Sequence, residues 1–381
     1  GRPLPRVSGQ PAKAGVFRRY LLPALALKGV IIGGGYATGR ELIEYFLTMG
    51  PVGAMLAMAV AAAMWSLIAA MTFALAHHFR SYDYRAFIER LLGRAAVIFE
   101  ICFLLFSILL LAVFGAAAGE LGVSLFGLPA LVGTVALAVC IAIIAGLGEN
   151  AVEAMFKYVS MLLYTVYAAF LVLALTSFGD RISASFAAGG IEPGWALSGV
   201  TYGAYNIVAA VMILPVLQHQ TSRRQAFVAG AIAGPMAMLP ALFFLIAMVG
   251  FYPQILTETL PSDYLLQRMG SPAFRLVFQL MVFGALLESG VGVIHALNER
   301  ALAFRAARKG KGPAPRWFRP ALTLAILAGC MFVASRIGLV DLIASGYRLM
   351  AYVFLATFVL PLMTVGVYRL FRSAPQSHKT S

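Results

Sequence analysis

Charged side chains are scarce in this chain, and several stand where they are expensive. Arg40, Glu41 and Glu44 follow a glycine-rich stretch, Glu288 and Ser289 lie in the middle of a long apolar run, and Lys157 and Asp341 lie near the ends of others. An ionisable group inside an apolar run costs free energy unless it is paired or neutralised, so it marks an ion or substrate path. Glu41 and Glu44 are three residues apart and share a helix face, and Arg40 and Glu44 are four apart and can pair. A mid-span carboxylate such as Glu41 or Glu288 can carry a proton, and burial raises the pKa of such a group. Ser289 adjoins Glu288 and is followed by Gly290 and Gly292. Lys157 lies near an inner helix end, where snorkelling to the interface is the plainer reading, and Lys28 lies on the inner half of the first helix. His295, seven residues after Glu288, reads as a core histidine. The Cys102, Cys140 and Cys330 thiols have no metal-type spacing and read as small apolar residues.

These groups sit in a chain that is 61% hydrophobic and only 12% charged. A soluble domain carries about 25% charged residues, so lipid must solvate most of this surface. The apolar runs are continuous rather than alternating, which predicts helices and not a membrane β-barrel. Runs over 20–47, 51–77, 96–120, 128–147, 152–178, 196–217, 226–251, 274–298, 318–336 and 339–370 predict an all-α polytopic membrane protein of about ten transmembrane helices. With the N-terminus inside, 22 Lys and Arg fall on the inner side, four on the outer side and three within spans. That asymmetry places both termini in the cytoplasm of a multi-pass membrane protein. The net charge of +14 is therefore a topology signal. Scattered over several loops, the basic residues do not build a nucleic-acid surface, and the lipid bilayer is their partner.

An internal repeat organises the spans. At an offset of 170 residues, Pro23, Ala26, Leu27, Gly29, Val30 and Gly33 meet Pro193, Ala196, Leu197, Gly199, Val200 and Gly203. The match joins the first helix to the sixth, as a duplication of five helices requires. Five helices per half invert the second copy, giving a 5+5 inverted repeat over 20–178 and 196–370, with 1–19 and 371–381 as cytoplasmic ends. Both repeat members are expected to be broken helices. Helix 1 reads Gly33-Gly34-Gly35-Tyr36-Ala37-Thr38-Gly39, and helix 6 reads Thr201-Tyr202-Gly203-Ala204-Tyr205-Asn206. Glycine weakens a helix by about 1 kcal/mol relative to alanine. Unwound backbone at membrane depth must face a polar cavity or ligand, unless the glycines serve close helix packing instead.

The stretch Gly33-Gly34-Gly35-Tyr36-Ala37-Thr38-Gly39-Arg40-Glu41-Leu42 resembles the first-helix signature of the bacterial YkvI-type membrane proteins, which are placed with the amino acid–polyamine–organocation superfamily. The resemblance implies the leucine-transporter fold. It further implies a cation after the first break pairing with an acid on helix 10, here Arg40 with Asp341 as an outer gate. It also implies coupling-ion positions on helices 5 and 8, here Lys157 and Ser289.

The expected function is secondary active transport of a small polar solute, an amino acid or organic amine, by alternating access. Gly33, Gly34, Gly35, Tyr36, Thr38, Tyr202, Gly203, Tyr205 and Asn206 are the expected substrate contacts, with helices 3 and 8 completing the wall. Glu41, Lys157, Glu288 and Ser289 are the expected coupling positions, with H+ or Na+ as the ion and no other cofactor. No phosphate loop, nucleophile motif or metal-ligand set is read, so neither an ATP-driven pump nor an enzyme is expected. The competing reading is a receptor with a transporter fold that binds a ligand without net transport.

Overall fold

The computed structural model describes residues 15–32, 34–308, 310 and 312–372. Among these residues, eight helices are long and apolar enough to cross a membrane. They are span 2 (Pro51–Phe79), span 3 (Ala96–Phe126), span 4 (Ala130–Leu147), span 5 (Glu149–Ala188), span 7 (Arg223–Val249), span 8 (Pro272–Ala307), span 9 (Phe318–Ile337) and span 10 (Leu339–Arg372). The first and sixth elements fall short of that length because they are interrupted. Span 1 is split into Leu22–Ile31, Gly34–Ala37 and Arg40–Tyr45. Span 6 is split into Trp195–Asn206, Ala209–Met212 and the 3-10 turns Leu214–His219. The protein is thus an all-α polytopic membrane protein whose two broken spans open the two halves of a 5+5 inverted repeat.

The two breaks have different chemistry. In span 1 the helix ends at Ile32, which leaves the helical region at φ −74° and ψ 78°, and a second interruption falls at Gly39 with φ +81°. An L side chain at Gly39 would be strained, and its Cβ would lie 3.1 Å from the Phe244 ring. In span 6 the expected Thr201–Asn206 stretch is regular helix, and the interruption comes one turn later, at Ile207 and Val208. One glycine is not enough to open the helix there. Gly203 instead lets span 2 approach: a Cβ on it would lie 2.9 Å from the Met64 sulphur, and its carbonyl accepts the Trp65 Nε1–H at 3.1 Å. Pro215, with no N–H to give, then holds the remainder in 3-10 turns.

Spans 2 and 7 form the most extensive interface in the molecule. Small residues make it possible, as lipid offers no hydrophobic drive for helix association and close van der Waals approach must supply it. A Cβ at Gly230 would lie 2.3 Å from the Ala70 backbone, and one at Gly234 would lie 2.4 Å from the Ala62 carbonyl oxygen. The junction between the halves is tied by the Gly190 carbonyl, which accepts the Val52 and Gly53 amides at 3.1 and 3.0 Å. Those amides open span 2 and have no partner within their own helix.

Substituting Gly230 with Ala must push spans 2 and 7 apart, at a cost of about 2 kcal/mol. Gly329→Ala, where nothing lies within 4 Å of the added carbon, is the matched control. Thermal melts of the two purified variants should separate clearly, and equal midpoints would contradict the interface described here.

Candidate functional site

The interruption of span 1 delivers Glu41 to the protein centre. It lies in the first turn of Arg40–Tyr45, where the positive end of a helix favours an anion. The residue is 6% exposed, and its Oε1 accepts the Tyr205 hydroxyl at 2.7 Å. Tyr205 comes from the helical turn just before the span 6 break, so this one bond joins the two interrupted spans. Rings surround it: Tyr205 lies 5.5 Å from Tyr45, 5.6 Å from Tyr202 and 4.8 Å from Tyr347 of span 10. Trp65 and Phe46 close on Tyr202 from the far side at 5.6 and 4.5 Å.

Beside Glu41 lies a cavity of about 380 Å³ between spans 1, 3, 6, 8 and 10. Glu41, Ser107, Tyr205, Asn206, Glu288 and Ser289 supply its polar groups, and Phe103, Phe106, Phe114 and Tyr347 its rings. Asn206 donates to the Tyr202 carbonyl at 3.0 Å, and Ser107 donates to the Phe103 carbonyl at 2.9 Å. Their remaining acceptor capacity is what they offer a ligand. The cavity reaches down the N-terminal half of span 1 and the C-terminal half of span 6. Val30, 49% exposed, and Met212, 36% exposed, stand on its wall within otherwise packed spans. It therefore runs toward the N-terminal side of the membrane.

On the opposite side the path is blocked. Arg40, 5% exposed, donates to the Leu256 and Glu258 carbonyls, each at 2.9 Å, and to Glu44 at 2.9 Å. Glu44 also meets Arg348 of span 10 at 3.5 Å. The Ser262 amide donates to the Thr38 carbonyl at 3.1 Å, so the loop between spans 7 and 8 is laid over the second half of span 1. That loop carries a short helix, Pro261–Met269, anchored by Asp263. Asp263 accepts from Arg275 at 2.7 and 2.9 Å, from Gln279 and Gln267 at 2.9 Å each, and from Ser124 of span 3. Burial alone would push its carboxyl pKa up, but the bonds from Arg275, Ser124, Gln279 and Gln267 outweigh this and hold it down at about 2.

Among the expected site residues, Glu41, Tyr205, Asn206, Glu288 and Ser289 come together on the cavity wall. Tyr36, Thr38, Tyr202 and Gly203 do not line it: Tyr36 is buried against Phe244 of span 7, and Thr38 gives its carbonyl to the loop. Gly34 and Gly35 open the short helical turn Gly34–Ala37. Gly33 and the Lys157 side chain lie outside the described residues. The expected Arg40–Asp341 pair is not formed. Asp341 is exposed at the start of span 10, whereas the terminal nitrogens of the buried Arg40 bond Glu44 one turn away and loop carbonyls, so the link to span 10 runs through Glu44 and Arg348. The structure adds Phe106, Ser107 and Tyr347 to the site. A lone hydroxyl at the centre of apolar span 3 is the sequence signal for Ser107, and Tyr347 has none. Among the described residues, no group of three or more His, Cys, Asp or Glu side chains comes together to hold a metal.

No family model matches the chain. It is 25% identical over 340 residues to the membrane protein YkvI of Bacillus subtilis (strain 168), covering 87% of this chain and 92% of that one. Among solved structures it resembles MhsT in complex with L-phenylalanine, with a TM-score of 0.54 at 16% identity over 94% of this chain and 98% of that one. It also resembles the Eremococcus coleocola manganese transporter, with a TM-score of 0.53 at 15% identity over 91% and 78% of the two chains. A Na+-coupled sialic acid symporter in a substrate-bound outward-open state gives 0.51 at 14% identity over 92% and 87%. The chain has the leucine-transporter fold.

The Asp263 latch has a pH signature. Its carboxylate pKa is lower in the folded protein than the ordinary 3.8, so its contribution is complete above about pH 4 and lost as pH falls toward about 2. Asp263→Asn should cost about 3 kcal/mol at neutral pH, because Arg275 loses its buried partner. In thermal melts from pH 5 to pH 2.5, with all pH values approximate, the gap between wild type and variant should narrow; a constant gap would contradict an ionised latch.

Proposed function

We propose that this protein is a secondary active transporter of a small molecule bearing an ammonium group, an organic amine or an amino acid. The observation that carries the reading is a one-sided cavity: it lies beside the two broken spans, runs to the N-terminal side and is blocked on the other by Arg40 and the Asp263-anchored loop. A channel needs a continuous path, whereas alternating access needs a central site open to one side at a time. The excess of Lys and Arg on the N-terminal side assigns that side to the cytoplasm. This conformation is then inward-facing, in a bacterial inner membrane.

Substrate chemistry follows from the wall. Glu41 and Glu288 are acidic, and among the described residues no Lys, Arg or His lines the cavity. Carboxylates on a largely apolar, ring-lined wall suit an ammonium carried on a small organic body, through charge-assisted hydrogen bonds and ring faces. An amino acid would direct its ammonium to Glu41 and its carboxylate to the backbone amides at the span 1 break. The coupling ion is H+ on Glu41 or Glu288, or Na+ beside Ser289. The single hydroxyl at Ser289 makes the carboxylates the stronger carriers.

The test is a thermal-shift screen of the purified chain against amines, amino acids, organic acids and nucleobases, with and without Na+ at two pH values. A ligand that binds the folded state raises the midpoint by mass action. An amine or amino acid should be the hit, and Glu41→Gln should weaken it by about tenfold to a hundredfold. Organic acids as the only hits would sink the substrate class. Uptake of the hit into proteoliposomes under a proton or sodium gradient distinguishes a transporter from a ligand sensor, which binds without accumulating.

A further inference from the structure

A second cavity lies apart from the central one. A groove of about 760 Å³ runs between spans 4 and 9, on the outside of the bundle. Its walls are Val135, Val139 and Ile143 on one side and Leu324, Leu327 and Met331 on the other. Val139, Ile143 and Leu324 are 51%, 56% and 60% exposed, so in a membrane this groove faces lipid. Spans 4 and 9 are also the least internally buried of the eight long helices.

The groove is wedge-shaped. Both spans close on Gly115 of span 3 at one end: a Cβ there would lie 3.2 Å from Thr134 and 3.7 Å from Ala334. The Thr134 hydroxyl locks that end by donating to the Gly115 carbonyl at 2.8 Å. Toward the N-terminal side the spans part, and Gly146 has nothing within 4 Å of its Cβ position. The groove wall there carries Arg316 and Arg319. Arg319 is held by Glu299 at 2.8 Å and by the His295 ring at 3.1 Å, while Arg316 is exposed and makes no ion pair among the described residues. Residues 299–319 hold seven Lys and Arg against the single acid Glu299. Trp317, 67% exposed beside them, is placed as aromatic side chains are at the headgroup level.

We propose that this groove holds one anionic phospholipid from the leaflet on the N-terminal side, its acyl chain in the wedge and its phosphate at Arg316 and Arg319. The charge of the mouth selects the occupant. A zwitterionic lipid fills the apolar walls equally well but leaves the excess positive charge uncompensated, whereas a phosphodiester with net negative charge satisfies both parts. Asn298 donates to the Thr323 hydroxyl at 2.9 Å on the polar floor beneath the mouth, and the walls above it are lined by aliphatic side chains.

Native mass spectrometry and thermal melts of the detergent-purified full chain test this. Phosphatidylglycerol and phosphatidylcholine of matched acyl chains would be compared, with glycerol 3-phosphate as the headgroup alone. Phosphatidylglycerol should be retained and raise the melting midpoint, and the other two should not. Arg316→Gln, at an exposed side chain, should cut phosphatidylglycerol retention about fivefold. Ala328→Trp, which fills the exposed groove wall, should abolish retention by sterics while leaving the central-site ligand response unchanged. The proposal fails if phosphatidylcholine is retained equally, if glycerol phosphate alone stabilises as well, if both variants keep full retention, or if a second copy of the chain occupies the groove instead.

Discussion

Hydrocarbon offers no hydrogen bonds to a peptide group, and the architecture follows from that constraint. Eight spans meet it by remaining continuous helices. In the two that do not, the breaks are buried in protein, with Tyr36, Ile207 and Val208 almost wholly covered. Their interrupted backbone has only protein and a cavity for company, so the place where the helices break is the place where polar chemistry can be held at membrane depth.

The Glu41–Tyr205 hydrogen bond expresses this most directly. A carboxylate is brought to the centre by the second half of span 1, beside that half-helix's positive end, and is met by a hydroxyl from just before the break in span 6. The rings of Tyr45, Tyr202 and Tyr347 exclude water from one face of the pair, while the cavity admits it to the other. Such a group is sensitive to what enters the cavity. A cation that takes the carboxylate competes with Tyr205, and Tyr205 belongs to a span that must move if access is to alternate.

Arg40, the residue before Glu41, faces the opposite task. Its three donor bonds gather two loop carbonyls and Glu44 into one cluster, and Arg348 joins it from span 10. The Asp263 cluster fixes the same loop to spans 3 and 8. One turn of helix therefore presents a carboxylate to the cavity and a guanidinium to the seal. A rotation of that half-helix would move both groups at once.

The span number and the interruption of spans 1 and 6 were legible from the sequence. Glu41, Glu288, Ser289, Tyr205 and Asn206 stand out in the sequence because misplaced charge and polarity are local properties, and the structure puts them on one cavity wall. The partner of Arg40 was not legible: Glu44 and distant Asp341 are both acids in reach by sequence, and only the burial of one and the exposure of the other decides between them. The span 6 break was misplaced by a turn because a lone glycine reads the same whether it loosens a helix or admits a neighbour, and Met64 of span 2 decides which. Phe106 and Tyr347 reach the cavity from spans far away in the chain, and their wall exists only once those spans have packed. The sequence by itself determined which segments enter the membrane and which cannot stay continuous there, since lipid judges each segment alone. The tertiary structure decided which side the cavity faces and what seals the other, since those depend on how the segments meet.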